Sequence, residues 1–267
     1  MNKKINVFTN SSEVSLEVQK ELVDKLKNKN YIAEKKFNEN AELNIVLGGD
    51  GTFLRSVHES NFSNIPFVGI NTGSLGYFQE INIHELDDFI DKYEKRKYRK
   101  DQLLLLKIKF KMKDGSEITE YCLNEIVIKS KIHSIIHLNI YIDDYYFQEL
   151  AGDGLVLSTP SGSTAYNMSL GGAILYQDLE AFQMVPIAPI RSKIYKPLVS
   201  PLVLTKDTKV KVEIKEKDLN NILLSYDGIM KDFSNINNIE ISIPNFSITK
   251  LIFKPTWYWE NIQDKLL

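Results

Sequence analysis

The chain has 267 residues, 33 Lys or Arg against 35 Asp or Glu, and a formal net charge of −2. That length suits one large domain or two medium ones, and the near-neutral balance offers no electrostatic footprint for nucleic acid or an anionic membrane. One cysteine, Cys122, excludes an internal disulfide framework and a cysteine-rich metal site, and the N-terminus turns polar too soon for a signal peptide. With no window near the ~20 apolar residues of a membrane span, a cytoplasmic soluble protein is expected.

In chain order, residues 5–9 read as a short strand and 12–28 as an amphipathic helix, capped by Ser11 or Ser12, with Val14, Leu16, Val18, Leu22 and Leu26 among its apolar positions. Residues 43–47 are a second strand, Thr52 opens a helix carrying Phe53, Leu54 and Val57, residues 66–70 are a third strand, and 84–97 are helical. Strands alternating with helices predict a covered parallel sheet, so residues 1–100 are assigned to an α/β domain. The pattern then changes. Residues 103–112 end in strict alternation and meet a turn at Lys113–Ser116, and strand-like runs follow at 118–129, 137–142, 154–158, 202–204, 209–214, 221–225 and 239–243. A larger, mostly antiparallel β-rich domain over 101–250 is expected, with residues 251–267 a tail or short helix packing back.

Gly48-Gly49-Asp50-Gly51 ends one strand and opens one helix. Glycines there permit positive φ and close approach of a ligand, and the free N–H groups of a helix start can hold an anion. The alternative is a plain tight turn. The segment is not a Walker A loop, lacking Lys-Ser/Thr, nor a dinucleotide fingerprint, having Leu54 where a third glycine would stand. A carboxylate beside a phosphate cradle suits phosphoryl transfer to a hydroxyl, with Asp50 as the base. Asn71–Phe78 follows the next strand with two glycines and two aromatics, which either line the same crevice or fill core. Asn124-Glu125 interrupts an apolar run; amide and carboxylate suit an adenine edge or ribose hydroxyls, or mark an exposed strand end. Gly152-Asp153-Gly154 leads through a strand to Ser161-Gly-Ser-Thr-Ala-Tyr166, whose hydroxyls and glycines suit a phosphate or ribose turn or a simple Ser/Thr turn. Cys122 reads as a small core residue and Asp227-Gly228 as a hairpin turn. His133 and His137 lie in strand-like sequence, which argues against zinc. No Gly-x-Ser-x-Gly elbow supports a hydrolase.

In order and spacing, Gly48–Gly51, Asn71-Thr-Gly-x-Leu-Gly76, Asn124-Glu125 and Gly152–Asn167 resemble the NAD kinase family. Pro201-Leu-Val-Leu and Asp227-Gly228 fit later blocks of the same family. The resemblance implies a Rossmann-like α/β domain followed by a β-rich domain, with the site in the cleft between them. It implies phosphorylation of the 2′-hydroxyl of NAD's adenosine ribose by ATP or polyphosphate, a divalent ion such as magnesium travelling with the nucleotide, and a homodimer or homotetramer built through the β-rich domains. Carried over by position, Asp50 is the base, and Gly48, Gly49, Gly51 and Arg55 serve the donor phosphates. Asp50, Gly51, Tyr77, Asn124, Glu125, Asp153, Ser161, Thr164, Ala165, Tyr166, Asn167 and Ser169 serve NAD, with Ala188 and Tyr195 at a site shared with a neighbouring subunit.

This chain departs from the family in having Ala151 where a basic residue is common, Ser161 for Thr, and Ile229 in place of a polar group. Two other readings stand beside it: a Gly-Gly-Asp-Gly kinase acting on a lipid alcohol or sugar phosphate, and a non-catalytic NAD(P)-binding regulator.

Overall fold

A computed structural model describes residues 3–73, 76–132, 134–193, 196–231 and 235–266. In chain order the first stretch runs β1 (Lys3–Thr9), α1 (Glu13–Asn28), β2 (Tyr31–Glu34), β3 (Leu43–Gly48), α2 (Asp50–Glu59), β4 (Phe67–Asn71), β5 (Gln79–Asn82), α3 (Leu86–Glu94) and β6 (Arg99–Leu103). Next come β7 (Leu106–Met112), β8 (Glu117–Cys122), β9 (Glu125–Ser130), β10 (Ile136–Ile142), β11 (Tyr145–Gly152), β12 (Gly154–Ser158), a short α4 (Tyr166–Ser169) and β13 (Ala181–Ile187). The chain then forms β14 (Leu202–Thr205), β15 (Val210–Ile214), β16 (Ile222–Tyr226), β17 (Ile229–Lys231), β18 (Ile236–Ser242), β19 (Ile248–Ile252) and α5 (Trp257–Leu266). Two compact units result: residues 1–102 with 248–267, and residues 103–247.

The first unit is built on a seven-stranded sheet ordered β2-β1-β3-β4-β19-β6, with β5 also paired to β4. Strands β1, β2, β3, β4 and β5 pair in parallel, and β19 joins β4 in parallel from the far end of the sequence. Every residue of β3 is buried, as a central parallel strand covered on both faces requires. Helix α1 starts where the Ser12 hydroxyl accepts from the Ser15 amide, and it buries Val18, Leu22 and Leu26 at four-residue intervals. Val14, in the first turn of the same row, and Leu16, off it, are exposed. A capping box between Asn82 and Glu85 sets the one-turn 3₁₀ lead-in Ile83–Glu85, so α3 proper spans less than the helical run read from sequence.

The second unit has two six-stranded antiparallel sheets, β11-β10-β15-β18-β7-β8 and β14-β13-β12-β9-β16-β17. Alternate residues of both, among them Ile108, Phe110, Leu138 and Val212 from one and Ile126, Ile128, Leu155 and Leu157 from the other, form one apolar core. The run 118–129, read from sequence as continuous strand, is instead two strands in different sheets: β8 ends at Cys122 and β9 begins at Glu125. Cys122 is fully buried, and burial holds its thiol well above the ordinary range.

Candidate active site

The first-unit site begins where β3 gives way to α2. Gly48 has a φ of 154°, and a Cβ there would stand 2.4 Å from Thr52 Oγ1, so the turn closes against the helix only with glycine. Gly49 is the N-cap, and Asp50 is the first helical residue. A Cβ on Gly49 or Gly51 would meet nothing within 4 Å. Their lack of side chains therefore leaves open space over the helix start, where first-turn amides have no intrahelical acceptor.

Asp50 is half-buried, and its carboxylate spans two consecutive amides: Tyr77 N donates to Oδ2 and Phe78 N to Oδ1, each at 3.0 Å. Phe78 is buried and stacks on Phe53 of α2 with centroids 4.5 Å apart. The segment Gly76–Phe78 is thus tied to α2 by its backbone and one ring, with Tyr77 half-buried between. The Tyr77 hydroxyl is buried without a hydrogen-bond partner. Burial first, and then the Asp50 charge, hold the phenol above its ordinary value. Arg55 is exposed; its guanidinium donates to the Thr9 carbonyl at 3.0 Å and pairs with Glu59 at 3.4 Å.

Helix α5 completes this surround. Asn261 Nδ2 donates to the Gly76 carbonyl at 3.0 Å, and the Lys265 ammonium lies 3.9 Å from the centroid of the Tyr77 ring. Burial lowers the Lys265 pKa, with the Asp50 carboxylate pulling it back up. Deeper in the unit, Lys250 and Glu80 are both buried and each offsets the other's desolvation.

In the second unit, Asn124 and Glu125 sit where the chain leaves one sheet for the other. Asp227 holds that step: Leu123 N and Asn124 N each donate to one of its carboxylate oxygens at 2.7 Å. Asp227 and Gly228 have φ of 47° and 80°, the doubly positive turn of a tight hairpin, which joins β16 to β17. The Asn124 carbonyl accepts from Thr159 N at 2.9 Å, and a Cβ on Gly162 would stand 2.2 Å from that carbonyl oxygen. The 3₁₀ turn Ser161–Thr164 therefore packs on the Asn124 backbone because residue 162 is glycine.

Asn124 Oδ1, Glu125 Oε2 and Asn167 Oδ1 are buried with no partner. Burial, reinforced by the nearby Asp227 charge, raises the Glu125 pKa from its ordinary 4.5 to about 8. At neutral pH Glu125 thus offers both a donor and an acceptor. Thr164 is buried and bonds back to the Ser161 carbonyl at 3.4 Å, Ala165 is half-buried, and Tyr166 and Ser169 are exposed.

Other residues of the predicted set lie elsewhere. Ser158 pairs with Glu125 at one end of the β9–β12 ladder, while Gly154 pairs with Lys129 at the other. Asp153 therefore sits about 17 Å along the strand from the Asn124–Glu125 step, at ~3.4 Å per residue. There it joins Ala188, which has a φ of 43° and whose neighbour Ile187 accepts from Asp153 N at 3.0 Å. Tyr195 and His133 lie outside the described residues. His137 bonds Asp218 through its ring at 2.9 Å, and among the described residues no three His, Cys, Asp or Glu side chains converge to hold a metal ion.

The hairpin at Asp227-Gly228 and the short helix within 251–267 are as the sequence reads, but the clamp formed by the Asp227 carboxylate and the role of Lys265 are not written in it. The clamp joins residues 103 and 104 positions apart. No local pattern encodes it.

Residues 2–98 match the profile of the ATP-NAD kinase N-terminal domain, and residues 123–242 that of the ATP-NAD kinase C-terminal domain. An NAD kinase of Finegoldia magna is 42% identical over 268 residues, covering 99% of this chain and 98% of that protein. One of Lactococcus lactis subsp. cremoris is 31% identical, covering 99% and 97%. Among solved structures, yeast NADH kinase complexed with NADH aligns with a TM-score of 0.88 at 22% identity, covering 99% of this chain and 87% of that one. An Archaeoglobus fulgidus NAD kinase in complex with ATP aligns at 0.77 and 24%, covering 98% of each chain. At those identities the two structures speak for the fold.

Proposed function

This chain belongs to the NAD kinase family, and from that membership we infer that it phosphorylates the 2′-hydroxyl of NAD's adenosine ribose to give NADP, with ATP or polyphosphate as donor. The observation that carries the mechanism is the Asp50 carboxylate, fixed by two amides at the mouth of a parallel strand beside the open space over Gly49 and Gly51.

In this reading Asp50 accepts the proton of the 2′-hydroxyl as its oxygen bonds to the terminal phosphorus, and the bond from that phosphorus to the bridging oxygen breaks to release ADP or the shortened polyphosphate. A ribose hydroxyl is a poor nucleophile at neutral pH. Most of the acceleration would come from placement, worth up to ~7–11 kcal/mol when reacting atoms are held in line. Backbone donors at Gly48, Gly49 and Gly51, with Arg55, would face the donor phosphates.

A divalent ion, magnesium in this reading, would offset charge on the phosphoryl oxygens when bound. The turn fits an ion that arrives on those phosphates, with the Asp50 carboxylate as the neighbouring protein oxygen.

The second-unit set would hold NAD. The buried, unpartnered oxygens of Asn124, Glu125 and Asn167 suit adenine and ribose donors. Tyr166, exposed, would offer a ring face to the base, with Ser161, Thr164, Ala165 and Ser169 beside it in the chain, and Tyr77 is a further NAD-binding residue in this reading. Asp153, remote along the strand from Glu125, would contact another part of the dinucleotide, and its neighbour Ala188 would line, with Tyr195, a site shared with a neighbouring subunit. We propose a homotetramer, or a homodimer, joined through the β-rich units; the exposed Tyr145 and Tyr146 on edge strand β11 favour that reading. Among the described residues no helix is long and apolar enough to cross a membrane, and we propose a cytoplasmic site of action.

The test is NADP formation by the purified protein with NAD, ATP and magnesium, with NADH, polyphosphate, diacylglycerol and fructose 6-phosphate run in parallel. NADP formation with the last two acceptors inert is expected. NAD binding without NADP formation would leave the non-catalytic reading in its place.

A further inference from the structure

We propose that Lys265, carried by α5, is the side chain that binds the terminal phosphoryl group of the donor at the Asp50 turn. The inference rests on the kinase reading above and adds to it a residue from the far end of the sequence.

The turn needs a cation. Amides and glycines leave much of a terminal phosphate's charge unmatched, and Arg55, an exposed guanidinium shared with the Thr9 carbonyl and Glu59, is one cation among the several that such a charge takes. Lys265 is differently placed. Its ammonium rests 3.9 Å from the centre of the Tyr77 ring, and the amide of that same Tyr77 donates to Asp50 at 3.0 Å. Among the described residues no carboxylate forms an ion pair with Lys265, although the field of Asp50 reaches it. An aromatic face holds a cation without supplying hydrogen-bond acceptors, so all three ammonium donors stay available to phosphoryl oxygens.

The position is built. Trp257 and Asn261 of α5 are buried, and Asn261 is bonded to the Gly76 carbonyl one residue before Tyr77. The Tyr77 hydroxyl and Asn261 Oδ1 are buried without partners beside the same loop, which marks the place as one where polar atoms await a ligand or its water. Burial favours loss of the Lys265 proton, and an arriving phosphate would restore the preference for the charged form.

The experiment compares the wild-type chain with Lys265→Gln and Lys265→Arg. Donor concentration is varied at saturating NAD, for ATP and for polyphosphate, and NAD is then varied at saturating donor. We expect Lys265→Gln to raise the donor KM about tenfold or more for both donors, as loss of one charge-assisted contact would. The KM for NAD should stay within about twofold, and Lys265→Arg should recover most of the loss. Calorimetric binding of magnesium ATP to wild type and Lys265→Gln reads the same contact without turnover, so failure of NADP formation and failure of the Lys265 contact are separate results. Equal ATP affinity in the two proteins overturns the proposal. So does a joint rise in both KM values with an early melt that Lys265→Arg does not repair, since that assigns Lys265 to holding α5.

Discussion

The two units use the same device for different ends. In the first, Asp50 spans the amides of Tyr77 and Phe78; in the second, Asp227 spans those of Leu123 and Asn124. Each carboxylate pins two consecutive N–H groups of a segment distant in sequence. What lies beside each clamp differs. Asp50 stands at a helix start facing open space and the Lys265 cation. Asp227 stands in a hairpin and presses its charge on Glu125, which it helps keep protonated. One clamp presents its own carboxylate for chemistry. The other shapes the environment of a neighbour.

The largest test of that contrast is Asp50→Asn. Its turnover should fall ~10²–10⁴-fold, the usual worth of a positioned base, with NAD still bound; kcat and calorimetric binding on folded protein check this. An amide offers only one acceptor oxygen, so the loop bond to Tyr77 or Phe78 is also lost. Asp227→Asn breaks the second clamp in the same way. It should destabilise the chain by about 1–3 kcal/mol, read in denaturant titrations, and should affect NAD affinity more than donor affinity.

Glu125→Gln sharpens the comparison through pH. An acid raised from 4.5 to about 8 keeps its proton in the folded chain where the unfolded chain has released it. Its stabilising contribution is complete below about pH 4.5 and is lost as the pH climbs towards 8. Stability measured across that window should therefore fall less steeply in Glu125→Gln than in wild type. The smallest effect on the fold belongs to Gly51→Ala. With nothing within 4 Å of the new Cβ, helix propensity should leave stability unchanged or raised by up to ~1 kcal/mol. Donor KM should nevertheless rise, because the methyl group enters the space over the helix start.

The first unit was legible because buried parallel strands write themselves as apolar runs, as Leu43–Leu47 does, and because a strand ending in Gly-Gly-Asp-Gly announces its turn. The β-rich character of the second unit showed in alternation such as Lys107–Met112. Asn124-Glu125 showed as an interruption of an apolar run, but not as a change of sheet, since apolar residues continue on both sides and the clamp is a carboxylate over a hundred positions away. The site was legible as motifs and not as partnerships. Asp50, Asn124 and Glu125 could be singled out as side chains, whereas their fixation depends on backbone amides, on the missing Cβ of Gly162, and on a helix whose Trp-rich sequence gives no sign of what Lys265 meets.

Strand β19 lies between β4 and β6 in the first-unit sheet, although its residues follow the whole of the second unit. A ribosome that has released residues 1–102 has therefore made a sheet with a missing plank. The nascent segment holds only β5 on that edge of β4, and lacks the strand that joins β4 to β6, until some 145 further residues have emerged. The second unit, contiguous from 103 to 247, is thus complete in the growing chain before the first, whose sheet closes last.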